Sequence, residues 1–423
     1  MSSSAIAFRA RRNTAPLGPA QARERSVRRR VGITWGLLVL NALTYYGSIL
    51  KIPSAGGKLI TQGALPVALL LALTVNRRVI VRPNVFLCLT SLLVLEAFVT
   101  TLQPQHLGTV YRFVRLAEFV AVLWLLTPWW GRRDLLLVRY YLISLSVALG
   151  TVVLGVLVAP GSALAGGRLS GVLWDIPATE VGHYAAVVAG LFVVLWFGGM
   201  LGGRVTLLVA VTGVAIIVLS HTRTALLAMV AALLVAGLSL IVVKARARRF
   251  FAVAVVMVSI GVMTLAGVAT AWLARGQNTA ELTSLTRRTD FWHLVLNLPR
   301  TRFEEIFGFG LSNGSVNGLP IDSNWLVTYL EQGILGVIIC AVMALFLLVA
   351  AFFQPSGTRR ALALFLITYC LVASFTQVAF AEPTTYLLEL TLAASLLVPP
   401  VASGRPPRIP AHNRTLERGG HAA

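Results

Sequence analysis

The sequence predicts an all-α polytopic membrane protein of about twelve transmembrane helices with one large extracytoplasmic loop. Three observations predict it. Hydrophobic residues make up 57% of the 423-residue chain and charged residues 12%, against about 25% charged in an average soluble domain. Apolar runs of roughly 17 to 25 residues recur from end to end, each long enough to cross the hydrocarbon core as a helix. Every second connection between these runs is rich in arginine.

Taken in order, residues 1–32 carry "RARRNTAPLGPAQARERSVRRR" with no apolar stretch ahead of the cations. They read as a basic, disordered cytoplasmic arm and not as a signal peptide. Apolar spans follow at 33–50, 59–75, 84–102, 108–127, 135–159, 182–200, 205–220, 224–243 and 250–273, so that 33–273 forms a block of nine. Residues 274–323 are the one long polar interruption. Three further spans at 324–352, 361–379 and 384–400 close the membrane part, and 401–423 is a tail. The connections "NRRVIVR", "GRRD", "KARARR" and "GTRR" alternate with weakly charged ones. The positive-inside rule then puts them and both termini in the cytoplasm, with the chain multi-pass in the cytoplasmic (inner or plasma) membrane. An odd span count would place basic loops on both faces.

The formal net charge of +21 follows from this orientation and from attraction to anionic headgroups of membrane lipids, and no nucleic-acid partner is needed to explain it. Cys88, Cys340 and Cys370 all fall inside predicted helices, too isolated for a metal-type pair or a disulfide framework. The sequence has no GxxxxGK[ST], no HExxH and no CxxC, and Asp134, Asp175, Asp290 and Asp322 form no DxD pair. Neither an ATP-driven pump nor a metal-dependent nucleotide-sugar enzyme is indicated, and no cofactor or metal is expected.

Arginine on the disfavoured face is the anomaly. Arg112, Arg115, Arg168, Arg223, Arg275, Arg287, Arg288, Arg300 and Arg302 fall outside, or in the outer half of a helix, where orientation gives no reason for them. Snorkelling to the interface accounts for Arg275, Arg300 and Arg302. Arg223 differs, because "LSHTRTALLAM" joins two spans with almost no loop and fixes this cation at a helix N-terminus, where an anion shared with the helix would favour it. Arg112, Arg115 and Glu118 recur every third residue on one helical face; an internal Arg115–Glu118 ion pair and a ligand site both fit. Several guanidinium groups around one cavity suit a phosphate or diphosphate, since the planar fork makes bidentate bonds.

The loop itself divides in two. "NTAELTSLTRRTDFWHLVLNLP" spaces its apolar residues as one amphipathic surface helix, and "FGFGLSNGSVNGLP" reads as a flexible segment able to close over a site. At its end Asp322, Ser323 and Asn324 meet the next span. They serve either as a helix N-cap or, through Asp322 and Asn324, as the groups that orient or deprotonate a substrate hydroxyl. His293 is a more distant candidate base.

In order, "GGRLSGVLWDIPATEVGHYAA", "LSHTRTALLA" and "SLTRRTDFWHLVLNLPRTRFEEIFGFGLSNG" followed by "IDSNWLVTYLEQGILGV" resemble the O-antigen ligase and O-antigen polymerase family of polytopic glycosyltransferases. The resemblance covers about residues 168–337. It implies a GT-C-like membrane fold with its site at the outer boundary, and metal-independent transfer of a glycan from a polyprenyl-diphosphate carrier to a sugar hydroxyl of a glycan or glycolipid acceptor. It further implies that Arg168, Arg223 and Arg287 or Arg288 contact the diphosphate. Family ligases carry a histidine-asparagine pair where this chain has Asp322, Ser323 and Asn324; without that histidine, the reading leans to a polymerase of a surface polysaccharide. The alternative is a transporter or flippase for lipid-linked oligosaccharide, which predicts broken helices and repeated halves; no internal repeat is evident.

Overall fold

The computed structural model describes residues 19–43, 48–49, 53–102, 107–132, 134–241, 243–254, 292–312, 315–316, 319–321, 323–377 and 380–399. Among the described residues the chain is built of helices, with one two-residue ladder pairing Ser315 with Pro320 and Val316 with Leu319. The helices are α1 (Pro19–Ala42), α2 (Ser54–Val75), α3 (Val85–Thr101), α4 (Leu107–Leu126), α5 (Leu136–Val158), the one-turn α6 (Pro160–Ala163), α7 (Ala178–Phe197), α8 (Gly203–Leu219) and α9 (Arg223–Ile241). After α10 (residues 245–254) and α11 (residues 292–296) come α12 (Arg302–Phe307), α13 (Asn324–Phe353), α14 (Thr358–Ala373) and α15 (Thr385–Leu397).

By length and apolar composition α2, α5, α7, α9 and α13 are each able to cross a membrane, and α3, α8 and α15 are shorter apolar helices. Large side chains such as Leu157, Leu207, Leu227, Leu345 and Phe353 face outward from them. An apolar exterior of this extent is unfavourable in water and compatible with a multi-pass membrane protein. The centre is α7, packed on α5, α8, α9 and α14, and nearly every residue from Val181 to Leu195 on it is buried. A helix apolar all round belongs in the interior.

Loop contacts gather at two ends. At one, Arg359 donates to the carbonyls of Gly131 and Val398, Arg28 pairs with Asp134, and Arg82 N–H meets Thr127; this basic end holds the arginine-rich connections. At the opposite end Ile49 bonds to Val172, Leu169 to Leu219 and Asn324 to Ser374.

Two expectations shift. The arm expected to be disordered through residue 32 is helical from Pro19. Its Arg, Gln and Ala are good helix formers, and Arg28 pairs with Glu24 at i,i+4. The first apolar span, expected at 33–50, ends with that helix at Ala42. Most of the expected ninth span and most of the surface helix of 278–299 lie outside the described residues, which begin again at 292.

The single long run 324–352 does contain one helix, but α13 is broken at Gly333, whose φ of 61° and ψ of −162° suit glycine alone. A Cβ there would lie 2.3 Å from the Ile306 carbonyl oxygen. The segment that crosses the break is Gly308–Ser312: Phe309 N–H donates to Leu330 O, and Gly310 N–H to Glu331 O. The stretch expected to be flexible is therefore tied to α13 over 308–312.

Candidate functional site

The opposite end collects two groups of arginines. In the first, the N-terminal half of α4 carries Arg112 and Arg115 one turn apart. Arg115 donates through Nη2 to the Asn41 carbonyl at 2.6 Å and through Nε to Asn41 Oδ1 at 3.3 Å. Asn41 is fully buried and its amide donates in turn to Thr61 O, so α1 and α2 fix the guanidinium. Arg112 donates to the Ser312 carbonyl. Glu382, on the α14–α15 connection, lies in the field of both arginines. Burial pushes its carboxyl above the usual glutamate value, and Arg112 and Arg115 pull against that rise. The expected Arg115–Glu118 pair is not among the ion pairs of the described residues. Arg115 faces Asn41 instead.

In the second group Arg168 donates through Nε to the Ser220 carbonyl at 3.1 Å, and Arg223 opens α9 three residues further on. The turn between is tight. His221 sits at φ 51°, and the Thr222 hydroxyl donates to Ala178 O, so one corner carries both arginines and the start of α7. Asp175 lies in the same connection, its carboxyl raised by burial. The two groups share a layer, because Ser48 Oγ donates to Leu173 O and so links the α1–α2 connection to that of Arg168.

Ser312 joins the broken helix to this layer. Its N–H and hydroxyl donate to Glu331 Oε1 at 2.8 and 2.7 Å, and Glu331 is fully buried. Arg300, expected to snorkel, instead donates to Tyr329 O and Val295 O and lies over the Tyr329 ring at 4.2 Å. Beside it Leu296, Trp325, Leu326, Tyr329, Ile334 and Val337 line an apolar groove of about 250 Å³. A larger groove of about 520 Å³, lined by Val235, Phe352, Phe353 and Arg360, lies at the basic end, away from both arginine groups; its apolar wall suits ordinary lipid.

Arg287, Arg288 and Asp322 lie outside the described residues. Asn324 is 1% exposed and its Oδ1 accepts from Phe380 N–H at 2.7 Å. The expected catalytic amide therefore anchors the connection that carries Glu382. Ser323 stands at the N-cap of α13 without a side-chain cap bond. His293 is exposed on α11.

Sequence reasoning missed Glu382, and it placed Glu389 within a predicted span without finding its partners. Glu382 stands in the short "FAEPTT" connection, and its only signal was an acid among weakly charged outer loops. Around Glu389 lies an interior network in which His183 Nε2 and Glu389 Oε1 share a hydrogen bond at 2.7 Å, the Tyr141 hydroxyl donates to the same oxygen at 2.7 Å and the Cys370 thiol to Oε2 at 3.3 Å. Tyr184, Tyr369 and Tyr386 ring the imidazole edge-on. It ties α5, α7, α14 and α15 together through one carboxylate. Comparison with family models and with curated proteins gives no match.

Proposed function

We propose that the chain is an integral membrane glycosyltransferase of the O-antigen ligase and polymerase type, crossing the cytoplasmic membrane twelve times with both termini inside. It transfers a glycan from a polyprenyl-diphosphate carrier to a sugar hydroxyl at the outer face. One observation carries the reading: two pairs of arginines, Arg112 with Arg115 and Arg168 with Arg223, stand in one loop layer at the end away from the basic connections. Guanidinium forks match a diphosphate, and the apolar groove beside Trp325 and Tyr329 has the chemistry for the prenyl chain. Arg287 and Arg288 remain candidates for the same clamp.

The reaction needs a nucleophile freed of its proton and a leaving group held as it takes charge. The acceptor hydroxyl oxygen forms a bond to the anomeric carbon, and the bond from that carbon to the diphosphate oxygen breaks with its electron pair. The arginines hold the departing diphosphate. The hydroxyl proton passes to a carboxylate, for which Glu382 and Asp322 are the candidates. Neither a metal nor a nucleotide enters this scheme.

The break in α13 favours a second reading, a transporter for lipid-linked oligosaccharide, because discontinuous helices line transport sites. Reconstitution with a polyprenyl-diphosphate oligosaccharide separates the two. A ladder of products identifies a polymerase and one discrete product a ligase. Donor carried unchanged across the bilayer identifies a transporter and rejects glycosyl transfer.

A further inference from the structure

Glu96 of α3 and Gln332 of α13 meet in the apolar interior beside the break at Gly333, at 3% and 0% exposure. Neither oxygen of Glu96 and neither polar atom of the Gln332 amide has a hydrogen-bond partner among the described residues. The Gly336 N–H faces the carboxylate and completes no well-aligned bond with it. Among the described residues no ion pair reaches Glu96. A carboxylate cannot stay ionised in such surroundings without a positive partner, and an amide left unbonded there is costly as well.

The geometry names that partner. A Cβ built on Gly336 would stand 3.2 Å from Glu96 Oε2 and 3.1 Å from Gln332 Oε1, so both oxygens approach the same Cα. Only glycine fits at 336, where an added Cβ would stand 2.4 Å from Gln332 Cβ. A cation bound by both oxygens satisfies the two together, oxygen ligands select a hard one, and a single carboxylate balances a single charge.

We propose that Glu96 and Gln332 form an intramembrane binding site for a monovalent cation of sodium size, at the break in α13. The bound ion holds α3 against α13. Through Glu331, one residue before Gln332, and its bonds to Ser312, it steadies the segment that meets Arg112. The site does not depend on the glycosyltransferase reading.

The test uses the full chain, purified in lipid nanodiscs. Thermal unfolding is followed by a thiol-reactive dye that reports exposure of buried Cys340 and Cys370, at fixed pH, with sodium chloride replacing choline chloride at constant ionic strength. The midpoint should rise saturably by several degrees with sodium. The rise should vanish in Glu96→Gln, require roughly tenfold more sodium in Gln332→Leu, and persist in Glu305→Gln, whose side chain lies exposed on α12. Radiosodium should bind the wild type saturably, which also decides the matter if the variants fail to fold. The proposal is overturned by a sodium-independent midpoint, by an equal rise in Glu96→Gln, by absence of saturable radiosodium binding, or by stabilisation that follows pH alone, which would mean that Glu96 is simply protonated.

Discussion

At Glu382 a carboxyl lies in the field of two arginines while burial keeps its proton on beyond the usual glutamate range. A general base works best when its pKa approaches the working pH, so the direction of this shift suits acceptor activation. The sign fixes the prediction: the active form is the carboxylate, so transfer should rise with pH along an acid limb lying above the ordinary glutamate value. Glu382→Gln should abolish that limb and lower the rate by about a hundred- to ten-thousandfold. Linkage gives a second readout. The folded carboxyl holds its proton more tightly than the unfolded one, so folding stability falls as pH rises from the ordinary value to the folded one, and Glu382→Gln should remove that fall. If Asp322→Asn alone destroys transfer while Glu382→Gln keeps both rate and profile, Asp322 is the base. Arg223 carries a further test at this scale. Arg223→Lys keeps the charge and loses the fork, and each lost charge-assisted bond is worth about 1.5 to 3 kcal/mol, or roughly ten- to hundredfold in donor binding or rate; unchanged transfer would reduce Arg223 to a helix-end anchor. The arginines were legible in the sequence because they broke an orientation rule. The bond of Asn324 to Phe380, fifty-six residues away, was not legible, because no local pattern encodes such a contact.

The element that matters most is α13, and its break shows where hydropathy stops being informative. Residues 324–352 read as one apolar run, and one helix does occupy them; the turn at Gly333 is set by backbone meeting backbone. Gly308 has φ 76°, and a Cβ on it would stand 2.3 Å from the Glu331 carbonyl carbon; Gly333 faces Ile306 in the same way. Gly333→Ala would combine left-handed strain of about 1 to 3 kcal/mol with overpacking of about 1 to 3 kcal/mol. Its unfolding midpoint in detergent should drop by many degrees, and Gly308→Ala should behave alike. Gly63→Ala is the control of opposite sign. It lies inside α2 with nothing within 4 Å of the added Cβ, so alanine should raise the midpoint slightly through helix propensity, worth about 0.5 to 1 kcal/mol. Equal midpoints for Gly333→Ala and the wild type would mean that the break is not needed. The interior network around Glu389 was illegible for a related reason. Period 3.6 shows that a residue lies on a helix, but in a chain apolar on every face it does not show which face meets a partner.

For the whole molecule, charge and hydropathy act on different axes. Apolar length sets how many helices the chain forms, whereas arginine distribution among the connections sets which way they point. The structure separates the basic connections from the remaining ones into two ends, and both arginine groups of the candidate site belong to the end that the basic connections avoid. An extracytoplasmic site requires that end to face outward, so orientation is the premise on which the glycosyltransferase reading stands. Exposed positions allow a direct measurement. Ser162 lies exposed on α6 at the arginine end, and Ser356 lies exposed between α13 and α14 at the basic end. In a Cys88→Ser background, with Cys340 and Cys370 buried, a cysteine introduced at Ser162 should react with a membrane-impermeant maleimide in intact cells. One at Ser356 should react only after lysis. The reverse pattern would put the four arginines in the cytoplasm, where the positive-inside rule alone explains them, and the diphosphate clamp would lose its support.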